Sequence, residues 1–174
     1  MGWFSNLYRA ALGYFTGKRK KTPEEIADDN KRTNSMGLFN TAEAYWMSAA
    51  ALQAAKVRSG HASQPVRFLY YHAIELYLKA WLRQHYSVEK LEWKFRHDVK
   101  RMSKRAVKLG LSISDDDRQL LNMMASSSGV LIEARYIRVG AKTWPTIEAL
   151  DRICTALRLN VGTLLHKNGV MVRI

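Results

Sequence analysis

The chain has 174 residues, enough for one ordinary domain plus an appended element and for a core that needs no covalent staple. Hydrophobic residues make up 47%, which excludes a chain disordered throughout, and a single cysteine excludes an internal disulfide framework and a multi-cysteine zinc or iron–sulfur site. The formal charge of +13 calls for an anionic partner, namely nucleic acid, a nucleotide or acidic lipid.

The first segment, Trp3 to Thr16, places Trp3, Phe4, Leu7, Tyr8, Ala11, Leu12, Tyr14 and Phe15 on one arc and polar residues on the other. This predicts an amphipathic helix that Gly17 ends, followed by the cations Lys18 to Lys21. Packing on its own domain, docking on a partner protein and lying on an acidic membrane surface are its three uses. Residues 22–36 are polar and read as a linker or short helix. The bundle proper is expected over 37–167, with 168–174 as a tail.

Within that bundle, residues 37–58 repeat Ala and Leu at helical spacing, and Ser59 to Ser63 read as a loop. Pro65 opens a helix to about His85 that is apolar on almost every side, the pattern of a bundle's central helix. Residues 96–109 are amphipathic through Val99, Met102, Ala106 and Leu109, and Gly110 stops them. Ser114 caps the next helix, with Asp115, Asp116 and Asp117 against the positive end of its dipole. Ser126 to Gly129 break the pattern, and Val130 to Ile137 read as another short helix. From Pro145 onward Ile147, Leu150, Cys154, Leu157, Val161 and Leu164 form a heptad seam with Gly162 as a weak point. Strand patterns are scarce, so the fold class is all-α, an up-and-down bundle of four to five helices with an extra N-terminal helix.

Chemistry concentrates in two places. His72, Glu75 and Lys79 share one face of the central helix, where Glu75 pairs with Lys79 at i,i+4 and His72 with Glu75 at i,i+3. A structural polar network is the first reading of this trio, and a ligand-facing site the second. Arg67 and His72 point about 140° apart on that helix and do not cooperate readily within it. The second place is Lys94 to Lys108, where Lys100, Lys104 and Lys108 form one i,i+4 row and Arg101 and Arg105 the next, with Asp98 the only acid. Such a stripe is either a solvated outer face or a track for phosphates, with Trp93, Phe95 and His97 placed to stack on a base. The aspartates at 115–117 read as caps rather than metal ligands, and no metal or cofactor is expected. No apolar run reaches the roughly 18 residues that span a bilayer, and no good signal peptide starts the chain. With the lone Cys154, that predicts a cytoplasmic protein, peripheral to the inner face of the membrane where its first helix meets lipid.

Residues Pro65 to Ala80, preceded by an Ala-rich helix with Tyr45 and followed by His97-Asp98-Val99 and by Glu133-Ala134-Arg135-Tyr136, resemble HEPN domains (higher eukaryotes and prokaryotes nucleotide-binding) over about residues 38–160. The resemblance implies a helical bundle that pairs as a homodimer and binds RNA or a nucleotide, within a bacterial conflict or regulatory system. Lys100, Arg101, Lys104, Arg105 and Arg135 are the expected phosphate contacts, with His72, Glu75 and Lys79 shaping the site. Nuclease members of the family carry an Arg and, four to six residues on, a His in a late helix. Neither Arg135 nor Arg138 is followed by such a His, so the expectation leans away from an enzyme. The alternatives are a divergent metal-independent ribonuclease or toxin using Arg67, His72 and Arg135, and a membrane-surface or protein-interaction module recruited through residues 1–21.

Overall fold

A computed structural model describes residues 21–56, 63–126 and 144–174. Seven helices lie among them: α1 (Pro23–Arg32), α2 (Ser35–Ala54), α3 (Ser63–Leu82), α4 (Val88–Lys94), α5 (Val99–Lys108), α6 (Asp115–Ser126) and α7 (Ile147–Lys167). No strand occurs among the described residues, and the fold is an all-α bundle. The amphipathic helix expected over 3–16, the short helix over 130–137 and Arg135 itself lie outside the described residues.

The bundle forms around α3. Twelve of its residues are buried, from Val66 to Leu82, and they face every direction around the helix axis. That is why its sequence is apolar on almost every side: α2 and α7 cover it along its length and α5 packs on a further side. α2 approaches closely because Ala42 and Ala49 are its buried positions, with Phe39 the one large side chain, set edge-on to Tyr77 at 5.3 Å between ring centroids. α7 contributes Leu150, Cys154, Leu157 and Val161, all buried, so the heptad seam is core of this chain. Each such aliphatic side chain is worth roughly 1.5–3 kcal/mol on burial.

The structure settles one open reading, since residues 22–36 read as a linker or short helix, and departs from the sequence pattern at two further places. Residues 23–32 are a helix, started by a reciprocal box in which Thr22 Oγ1 accepts from Glu25 N and Glu25 Oε2 accepts from Thr22 N. α1 buries no residue, and Arg83 tethers it by donating to the carbonyls of Asn30 and Thr33 at 2.8 Å each. The short helix α4, capped by Ser87, has too few turns to show a period and went unread. The tail does not run free: Gly169, at φ +77, adopts a left-handed turn that bulkier residues resist, and His166 Nε2 meets the backbone of Val172. Gly162 is a packing position, because a Cβ there would collide with Cγ2 of Ile174. Among the described residues no helix is long and apolar enough to cross a membrane.

Candidate functional site

Glu75 is the one carboxylate in the middle of α3, and its side chain is 1% exposed. A charge so placed persists only with partners. Lys79 Nζ, one turn on, lies 2.5 Å from Oε1 with its side chain 17% exposed. The second partner is His97, whose Nδ1 lies 3.0 Å from Oε1 and 3.1 Å from Oε2. An ionised carboxylate only accepts, so a neutral His97 carries its proton on Nδ1 and leaves Nε2 uncommitted. The chain delivers this ring from the α4–α5 turn. Arg96 there takes φ +48, a left-handed conformation that costs a non-glycine residue about 1–2 kcal/mol. Asp98 then caps α5 by accepting from Arg101 N at 2.9 Å.

His72 is not the histidine that bonds Glu75. Its ring meets the Tyr45 ring edge-on at 4.3 Å and stacks on Phe68 at 6.2 Å, and it makes no hydrogen bond among the described residues. Burial holds its pKa below the usual 6.5, against the opposing pull of the Glu75 charge. It fills a slot between aromatic rings as a neutral group. Arg67 spends a guanidinium donor on the carbonyl of Pro145, at the start of the α7 segment, and no contact joins it to His72 among the described residues. The arrangement expected of an Arg67–His72 ribonuclease pair is therefore not assembled within these residues.

The basic stripe divides by row. Val99, Met102, Ser103 and Ala106 turn inward, leaving the cations outside. Arg101 Nη1 donates to the carbonyl of Lys94 at 2.9 Å, and Arg105 Nε donates to the Tyr86 hydroxyl at 2.5 Å, so these two brace α5 against the α4 region. Lys90, Lys94 and Arg105 also sit 5.3 to 5.6 Å from the centre of the Tyr86 ring. Lys100, Lys104 and Lys108 are exposed, and no carboxylate pairs with them among the described residues. Their row runs about 12 Å along the helix at 1.5 Å per residue.

Beside the start of this row lies a cleft of about 760 Å³, lined by Lys79, Glu89, Glu92, Trp93, Arg96 and His97. Trp93 is 74% exposed, a large apolar surface left in water at the edge of a polar cleft. Phe95, expected to stack on a base with it, is 1% exposed and packs edge-on to Tyr86 at 5.5 Å, so it belongs to the core. Comparison with protein-family models, with curated proteins and with solved structures gives no match.

Elsewhere, Ser114 Oγ accepts from Asp117 N at 3.1 Å, and Asp117 also takes Arg152 Nη2 at 3.0 Å. Its buried carboxylate is thus occupied, and no group of His, Cys, Asp and Glu among the described residues suits a metal ion. Sequence reasoning missed a further polar knot in which Asp151 Oδ1 accepts from Trp46 Nε1 at 2.7 Å and from the Tyr70 hydroxyl at 3.1 Å. These three residues come from three helices, and no local spacing announces them.

Proposed function

We propose that the chain is a HEPN-like RNA-binding module acting as a homodimer, and that the α5 row supplies its phosphate contacts. The observation that carries the reading is the unpaired row Lys100, Lys104 and Lys108, three like charges held on one stable helix with no carboxylate of the described residues to satisfy them. Holding such a row together costs self-repulsion, and a polyanion relieves it. The strand's phosphates release counterions as they meet the lysines, which makes affinity fall steeply with salt. Trp93, next to the row's first turn, offers a face for an unpaired base, which favours single-stranded RNA over a duplex. Arg101 and Arg105 shape this surface through their contacts with α4 and Tyr86 and have fewer donors to spare.

Gel-shift titration of labelled single-stranded RNA with the full chain in EDTA, run beside a denaturing gel, tests the reading. A salt-sensitive shift with intact RNA supports it. An absent shift at low salt overturns it. Cleavage in EDTA that His97→Ala abolishes would replace it with the metal-independent ribonuclease, with His97 rather than His72 as the acid–base group.

A further inference from the structure

We infer that the cleft between Lys79 of α3 and the α4–α5 turn is a pocket for a single unstacked guanine base. This rests on the RNA-binding reading and specifies which part of the strand the cleft takes.

The lining sets the ligand class. Glu89 and Trp93 stand one turn apart on α4, so an indole face and a carboxylate share one side of the helix. Glu92 and Arg96 add a second carboxylate and a guanidinium, both exposed and without an ion pair among the described residues. On the far side, Lys79 and His97 are fixed by the buried Glu75. A phosphate alone does not suit this cleft, because two carboxylates line it. A purely apolar ligand does not suit it either, because five of the six lining residues are charged or titratable.

A flat group with donors on one edge and acceptors on another does suit it. Guanine presents N1–H and N2–H₂ side by side, matching the two oxygens of one carboxylate. Its O6 and N7 accept, matching a guanidinium such as Arg96. Adenine, cytosine and uracil do not offer two adjacent donors. The ring plane stacks on Trp93, which accounts for an exposed indole at the mouth of the cleft. The pocket also adjoins the phosphate track, since His97 precedes the first lysine of the row by three residues.

The test is a binding titration of the full chain with GMP, AMP, CMP and UMP at low salt, read by ligand-observed NMR. A ten-residue oligoadenylate titrated across salt serves as the separate check on strand binding. GMP is expected to bind at least fivefold more tightly than AMP. Trp93→Ala is expected to weaken every nucleotide roughly tenfold. Glu89→Ala with Glu92→Ala is expected to erase the preference for GMP. These three positions are exposed, and a thermal melt of each variant establishes that it folds. Equal affinities for GMP and AMP, or a preference that survives loss of both carboxylates, would overturn the guanine pocket. If the oligoadenylate still binds with salt sensitivity, the failure belongs to the pocket alone. If it does not bind, the RNA-binding reading fails with it.

Discussion

Glu75 shows how one residue organises the bundle's polar interior. Its pairing with Lys79 was legible, because i,i+4 neighbours on a helix meet. Its pairing with His97 was not, because the ring arrives from 22 residues away through a left-handed Arg96 that no local pattern announces. His72 looked equivalent on helical spacing, yet Tyr45 and Phe68 claim it. Three outcomes follow at this scale. Glu75→Ala leaves a mostly buried ammonium without its partner and is expected to cost about 3 kcal/mol in urea unfolding. His72 has a folded pKa below 6.5, so its unfolded form binds protons more readily. Its contribution is therefore complete above pH 6.5 and is lost as pH falls through the folded value. Urea melts at about pH 7.5 and about pH 5.5 are expected to differ less in His72→Phe than in the parent. Tyr71 and Tyr77 carry buried hydroxyls without a hydrogen-bond partner among the described residues, and burial pushes the Tyr71 pKa up to about 12. Tyr77→Phe removes an unsatisfied group and is expected to leave stability unchanged or raise it by about 1 kcal/mol.

Among elements, long ones were easiest to read. The all-round apolar run of α3 and the seam of α7 each extend over several turns, so their periods identify both helix and burial. α1 and α4 were not read with the same ease. α1 buries nothing and is held by its capping box and by Arg83, while α4 is seven residues long. For α5 the inward seam was legible, but the division of its cations was not, because it depends on Tyr86 and the Lys94 carbonyl. Asp98 starts α5, and Asp98→Ala is expected to lower stability by about 1 kcal/mol and to loosen the turn carrying His97. At the other end of the fold, Gly162→Ala pushes Ile174 off α7. Its cost is expected to match that of Ile174→Ala, with the double variant no worse than either single one in thermal melts.

On the scale of the whole molecule, neutral and charged parts divide the work. α2, α3 and α7 build the core, and α5 joins it by one face while turning to solvent three lysines that pair with no carboxylate of the described residues. The core was legible because burial leaves a periodic trace in sequence. The cleft was legible only as ingredients: Lys79, Trp93 and His97 were singled out, but separately, and Glu89, Glu92 and Arg96 join them through tertiary packing. The row and the cleft lie end to end around the α4–α5 turn, and their joint use by one RNA strand is the central claim. The most direct measurement is the slope of log affinity against log salt for a labelled single-stranded RNA, in the parent and in Lys100→Ala with Lys104→Ala. Loss of two phosphate contacts is expected to flatten the slope by about 1.4, at roughly 0.7 per contact on a single strand. A double variant with the parent's slope would contradict the claim and remove α5 from the binding surface.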